Sequence, residues 1–286
     1  MTQLQRLADA LPPASEILAD IERAFGEDIG PGDATADLLD PDATATAVLT
    51  CREEAVLCGT AWFDAAFRKL DPAVTIEWLA SDGERVAAGT AICRLAGKAR
   101  ALVTAERTAL NFLQLMMATA TVTSRYADAI AGTRTRVLDT RKTIPGLRRA
   151  QKYAVLCGGG TNHRMGLFDA MMLKENHIIA AGGIPQAVRA ARNIHPNLPL
   201  IVEVETLDEL GQVIEAGGDR ALLDNFTPAM LKEAVALTAG RIPLEVSGNV
   251  EIDTIRAIAE TGVDFISSGA LTKHIRAIDL SLRLDL

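Results

Sequence analysis

Two hydrophobic rhythms divide the chain. Between residues 1 and 120 the apolar positions come in short runs: Thr46–Cys51, Ala55–Cys58, Val74–Leu79 and Ala91–Leu95. Their alternation is moderate, which predicts strands of a sheet covered on one face. Asp82-Gly83 and Gly89 mark turns between them. Ahead of the strands, Pro12-Pro13 leads into a helical run from Ser15 to Phe25, with Ser15 as the expected N-cap. The Gly-, Asp- and Pro-rich stretch from Glu27 to Leu39 reads as a structured loop. From Thr104 to Ile130 the period becomes helical, with Leu110, Leu113, Gln114, Met117, Val122 and Tyr126 recurring three or four apart within two stretches.

The second half alternates apolar strands with amphipathic helices. The strands are Arg136–Asp139, Ala170–Leu173, Leu200–Val204, Ala221–Leu223, Leu244–Val246 and Phe265–Ile266. The helices between them span Gly183–Asn193, Leu207–Ala216, Pro228–Ala239 and Ile252–Glu260. This repeat predicts a parallel sheet with right-handed crossovers. Polar groups stand at the C-terminal end of each strand: Thr140-Arg141-Lys142, Lys174, Glu203 with Glu205, Asp224-Asn225, Ser247-Gly248-Asn249 and Ser268-Gly269-Ala270. From Glu203 through Asp224 and Ser247 to Ser268 the steps are 21, 23 and 21 residues. Such short units favour a compact barrel, whose strand ends converge on one mouth. An open doubly wound sheet, with function only at its switch point, is the alternative.

Composition narrows the function. Of the 286 residues 49% are hydrophobic but only 4% aromatic, so aliphatic side chains fill a sizeable core. The net charge of −8 argues against a general nucleic-acid binder. Cys51, Cys58, Cys93 and Cys157 contain no Cys-x-x-Cys pair and read as reduced, buried thiols. The N-terminal segment is charged every few residues, and no run of about 18 apolar residues occurs. A cytoplasmic protein without signal peptide or membrane span is therefore expected.

One stretch opposes the overall charge. From Arg134 to Lys174 nine Lys and Arg face two acids, Asp139 and Asp169. This is either a solvated basic face or a pocket for a multiply anionic small molecule. The glycines of the 247–249 and 268–270 loops allow close backbone approach to an anion, as at the phosphate sites of barrels. Glu203 and Asp224 lie on neighbouring strands; they are either partners of the basic residues or ligands for ribose hydroxyls and Mg²⁺. The basic set is Arg107, Arg141, Lys142, His163, Arg164 and Lys174. His177 and His195 read as structural, and His274 stays open. Zinc-finger spacing, H-E-x-x-H, G-x-S-x-G and the P-loop are all missing from the sequence.

Leu138 to Ile178, LDTRKTIPGLRRAQKYAVLCGGGTNHRMGLFDAMMLKENHI, closely resembles the core of the quinolinate phosphoribosyltransferase family. So do EDIGPGDAT, ERTALNFLQ, VEVET, LLDNF, LEVSGNV and GVDFISSGALTKH, in order along nearly the whole chain. The resemblance implies an α/β fold: an incomplete (β/α) barrel of the type II phosphoribosyltransferase kind with an N-terminal α/β sandwich domain. The sandwich would cover 1–118, the barrel 119–274, and the tail 275–286 would pack on the sandwich. A homodimer is implied, each sandwich capping the partner's barrel and bringing Arg107 to it.

By the same resemblance, Arg107, Thr140, Arg141, Lys142, His163, Arg164 and Lys174 would bind quinolinate and part of 5-phosphoribosyl 1-pyrophosphate. Glu203 and Asp224 would face ribose and Mg²⁺. Ser247, Gly248, Asn249, Ser268, Gly269 and Ala270 would hold the 5-phosphate. Lys142, Lys174, Glu203 and Asp224 would be catalytic. One departure is Ser267-Ser268-Gly269, where the family is associated with valine before the glycine. The implied reaction is phosphoribosyl transfer with loss of CO₂, giving nicotinate mononucleotide for NAD biosynthesis. Related readings are a paralogue with another acceptor and a non-catalytic phosphate-sugar sensor.

Overall fold

A computed structural model of the chain describes residues 3–248 and 250–285. The chain forms two compact units, and its segments interleave between them. The first unit takes residues up to 124, then 144–159, then 274 onward. The second takes 125–143 and 160–273. The division falls inside a helix, Ala99–Ala129, which is 31 residues long. No helix among the described residues is long and apolar enough to cross a membrane.

In the first unit a four-stranded antiparallel sheet has β1 (Thr44–Cys51) at its centre, between the C-terminal strand Leu280–Asp285 and Thr90–Lys98, with Thr75–Trp78 outermost. Ala45, Ala47, Leu49 and Cys51 of β1 are buried while Thr44, Thr46 and Val48 are exposed, so one face is covered. The short run expected at Ala55–Cys58 forms a strand only over Ala55–Val56, paired with Arg85–Val86. A helix over Thr60–Leu70 buries Trp62, Phe63, Ala66 and Phe67, and Phe63 packs edge-on against Trp78 at 5.1 Å. The helix expected from Ser15 begins at Ala14, with Pro13 as its N-cap. The Pro13 carbonyl accepts the Glu16 N–H at 2.9 Å. Ser15 therefore lies inside the helix rather than capping it. A helix over Arg148–Cys157, hidden in the sequence by its charged start, joins this unit because Ala150, Tyr153, Ala154 and Cys157 enter its apolar cluster.

The second unit is built on six parallel strands. In chain order they are β2 (Arg136–Leu138), β3 (Met171–Leu173), β4 (Leu200–Val204), β5 (Arg220–Asp224), β6 (Leu244–Ser247) and β7 (Phe265–Ser267). Their order across the sheet is β2-β7-β6-β5-β4-β3. The edge strands β2 and β3 are not paired with each other, so the barrel is incomplete. Register aligns Glu203 with Leu222, Leu222 with Glu245, and Glu245 with Phe265. One step onward Asp224 aligns with Ser247. Because strand faces alternate every residue, Glu203, Arg220, Asp224, Glu245, Ser247 and Phe265 all share one face.

Local signals set the connecting helices. Thr206 and Glu209 form a reciprocal capping box at the start of Leu207–Ala216. Thr227 accepts the Met230 N–H in front of Pro228. The helix expected over Ile252–Glu260 shortens to Ile255–Ala259. There Thr254 Oγ1 both accepts the Glu251 N–H and donates to the Glu251 carbonyl, stabilising a turn instead of a helix.

Candidate active site

The second unit gathers most of the expected site residues at its C-terminal strand ends. Lys174 follows β3, and its Nζ contacts Glu203 Oε2 on β4. Its backbone N–H donates to His177 Nδ1 at 3.0 Å, which gives His177 a structural task. Asp224 ends β5, where Asn225 has a left-handed φ of 59° and donates through Nδ2 to Asp224 Oδ2 at 3.1 Å. Gly248, after β6, has φ +96°, and a Cβ there would lie 3.1 Å from Asp224 Oδ1. A Cβ at Gly269 would lie 2.8 Å from Lys142 Cδ and 3.6 Å from Thr140 Oγ1. The glycine loops thus press against the acid of β5 and the lysine after β2. Asn249 lies outside the described residues.

The 140–142 turn is fixed internally. Thr140 Oγ1 accepts the Lys142 N–H at 3.1 Å, and Thr272 donates to the Lys142 carbonyl at 2.8 Å. Ser268, at the position associated with valine, is buried. Its hydroxyl donates to the Val250 carbonyl and accepts the Ala270 N–H, both at 3.3 Å. The backbone turn at Gly269 is therefore built with a polar side chain instead of an apolar one.

Arg164 carries the clearest electrostatic signature. Its pKa is lowered, first by burial and then by the charge of Arg141, with Asp169 acting in the opposite sense. Two guanidiniums thus lie within each other's field, an arrangement that an anion relieves. Arg164 also donates to the Ala170 carbonyl at 3.0 Å, which ties its guanidinium to the start of β3.

Beside Arg164 lies a buried cluster. Glu245 is fully buried, its Oε2 3.3 Å from His163 Nε2 and 3.0 Å from Arg220 NH1. Arg220 stands 4.4 Å over the Phe265 ring. Burial alone would raise the Glu245 pKa, but the adjoining His163, aided by Ser267 and Arg220, brings it below the ordinary value. The His163 backbone N–H donates to the buried Asp139 carboxylate at 2.8 Å, and His163 Nδ1 accepts the Arg164 N–H at 2.6 Å. Sequence reasoning missed Glu245 and Arg220. The available signal was a single carboxylate inside the apolar strand Leu244–Val246. At the N-terminal strand ends a cavity of about 300 Å³ is lined by His163, Arg164, Asp169, Ile201 and Arg220 among others.

The basic stretch divides on folding. Arg134 pairs with Asp264, and Arg149 pairs with Glu16 at 2.9 Å. Lys152 is fully buried within the first unit. Of the cations in the second unit, Lys142 and Lys174 stand at the C-terminal strand ends, while Arg164, within the field of Arg141, is tied to the start of β3. Arg107 occupies an exposed position of the Ala99–Ala129 helix, in the first unit. Its neighbours Thr104 and Thr108 donate to Asp33 at 2.8 Å and Asp28 at 3.3 Å, tethering the Gly- and Asp-rich loop. His195 and His274 are exposed.

A three-residue group of metal-ligand types, Cys58, Asp82 and Cys157, also lies together in the first unit, with ligand atoms within 4.8 Å. Asp82 is already engaged by the Gly59 and Thr60 N–H groups and by Tyr153 Oη, at 3.2, 3.3 and 3.0 Å. Burial pushes the Cys58 thiol well up. This cluster caps a helix.

Residues 33–117 match the quinolinate phosphoribosyl transferase N-terminal domain, and residues 119–283 match its C-terminal domain. The chain belongs to the quinolinate phosphoribosyltransferase family. It is 43% identical over 294 residues to the chloroplastic nicotinate-nucleotide pyrophosphorylase [carboxylating] of Arabidopsis thaliana, covering 96% of this chain and 84% of that protein. It is 41% identical over 279 residues to a probable nicotinate-nucleotide pyrophosphorylase [carboxylating] of Synechocystis, covering 96% and 94%. The solved nicotinate-nucleotide pyrophosphorylase of Francisella tularensis superposes with a TM-score of 0.94 at 49% identity, over 96% of this chain and 98% of that one. Quinolinate phosphoribosyltransferase similarity thus extends over both units, including every strand end described above.

Proposed function

We propose that the protein transfers the phosphoribosyl group of 5-phosphoribosyl 1-pyrophosphate to quinolinate with loss of CO₂, forming nicotinate mononucleotide and pyrophosphate in NAD biosynthesis. Family membership supports the reaction. The observation that carries it is the Arg141–Arg164 pair, whose mutual repulsion lowers the Arg164 pKa after burial. Such a pair suits an acceptor with two carboxylates, which guanidinium forks bind strongly.

The pyridine nitrogen forms a bond to the anomeric carbon as the carbon–oxygen bond to pyrophosphate breaks and pyrophosphate takes the electron pair. No covalent enzyme intermediate is needed, so the side chains act by positioning and electrostatics. The resulting pyridinium stabilises the electron pair left on the ring carbon when the adjacent carboxylate leaves as CO₂. A proton then replaces it, with Lys142 and Lys174 as the candidate donors. Glu203 and Asp224 would face the ribose, and the Gly248 and Gly269 loops the 5-phosphate.

Magnesium suits this donor set as a substrate-borne ion. Glu203 is already in contact with Lys174 and Asp224 with Asn225, so the protein offers one or two carboxylates, not a full cage. When bound, Mg²⁺ would neutralise charge on the leaving pyrophosphate. We further propose a homodimer in which Arg107 serves the neighbouring subunit's site; its exposure in the first unit supports this.

Paired product measurements test the reading. With quinolinate, saturating donor and Mg²⁺, one CO₂ is expected per pyrophosphate. Nicotinate lacks the second carboxylate and should react about 10⁴-fold less efficiently, because the buried partners stay unsatisfied. Equal efficiency with nicotinate would point to a paralogue, and no pyrophosphate from either acid would point to a sensor.

A further inference from the structure

We infer that Glu245 is a positioning residue for acceptor recognition: it holds His163 as the Nε2-protonated tautomer, and His163 in turn fixes the backbone from which Arg164 reaches the acceptor. The inference rests on the proposed role of Arg164 in binding the substrate acid.

Three observations carry it. First, His163 Nδ1 accepts the Arg164 N–H at 2.6 Å. A ring nitrogen that accepts cannot carry a proton, so the neutral imidazole holds its proton on Nε2. Second, Nε2 faces Glu245 Oε2 at 3.3 Å, and the Glu245 side chain is fully buried. A carboxylate there favours a proton on the nitrogen facing it. Third, Glu245 is itself held: Arg220 NH1 lies 3.0 Å from the same oxygen, and its guanidinium is stacked over Phe265. Register puts Glu245 on the same face as Asp224 and Ser247 and one step deeper in the barrel. The relay therefore lies below the C-terminal rim, where His163, Arg164 and Arg220 line the cavity at the N-terminal strand ends. The Arg164 N–H engages Nδ1 and Nε2 faces Glu245, so the ring is oriented and the Arg164 backbone is held with it.

A carboxylate buried only for stability would, when neutralised, lower the yield or melting temperature and affect both substrates alike. A positioning residue produces a split. In Glu245→Gln the KM for quinolinate should rise about tenfold or more, while the KM for 5-phosphoribosyl 1-pyrophosphate stays within about twofold. His163→Gln should show the same split. The double variant should be no worse than the poorer single one, because both changes cut one relay. Multiplying effects, or equal rises in both KM values, would overturn the inference. The native protein gives an independent check that does not depend on the variants folding. Nitrogen-15 NMR of labelled histidines, with His163 assigned by its loss in His163→Gln or from through-bond spectra, should show the Nε2–H tautomer for the neutral ring. The Nδ1–H tautomer would overturn the inference. Complete inactivity of the native enzyme with quinolinate would instead refute the proposed reaction, which separates the two failures.

Discussion

Arg164 brings together most of the site's physical chemistry in one side chain. Its charge is disfavoured by burial and by Arg141, yet its guanidinium is anchored on the Ala170 carbonyl. The cost of holding it there is recovered when an anion binds. Removing one partner of a buried charge pair typically costs about 2–5 kcal/mol. Arg164→Ala should therefore lower kcat/KM for quinolinate by roughly 30-fold or more, since about 1.4 kcal/mol is tenfold. Steady-state kinetics and a melting curve check this together, because the fold should survive. Near-normal efficiency would remove Arg164 from the site. Arg164 was legible in the sequence as part of a basic run; its stress was not, because that depends on Arg141 lying close in space.

At the scale of elements, the helix Arg148–Cys157 shows how packing overrides a sequence pattern. Its first residues are basic and its moderate periodicity is hard to read, but its apolar side joins the core of the first unit. It ends at Gly158, whose missing side chain is required by close contact. A Cβ there would lie 2.3 Å from the Ala120 carbonyl oxygen and 2.6 Å from Thr123 Cβ on the neighbouring long helix. Overpacking against backbone costs about 1–3 kcal/mol and sometimes more. Gly158→Ala should accordingly lose about 3 kcal/mol in urea unfolding. An unchanged midpoint would mean that the two helices separate without penalty. Within the Cys157-Gly158-Gly159-Gly160 run, Gly158 therefore has a packing role.

At the scale of the whole molecule, Arg107 is borne on the first unit and the proposed site on the second. Under the dimer reading, Arg107→Ala and Lys142→Ala subunits are each inactive alone. Mixed and allowed to exchange, they should regain activity, because one of the two hybrid sites then carries neither change. Exchange confirmed by native mass spectrometry without recovered activity would show that Arg107 does not act across subunits.

The sequence by itself determined the parallel strands of the second half, the polar residues at their C-terminal ends and, through resemblance, the family. These follow from local periodicity and from residue types at fixed spacing, which need no knowledge of distant contacts. The strands Leu200–Val204, Arg220–Asp224 and Leu244–Ser247 were readable because continuous apolar runs between polar turns have few other uses. Only the tertiary structure decided which cations of the basic stretch belong together. Lys152 is buried in another unit and Arg149 is paired on a helix surface, although in sequence both look equivalent to Arg164. Likewise only the folded chain brings Glu245 against His163, residues 82 positions apart in the sequence. Charge pairing inside a barrel depends on distances across neighbouring strands, and those distances exist only once the chain has folded.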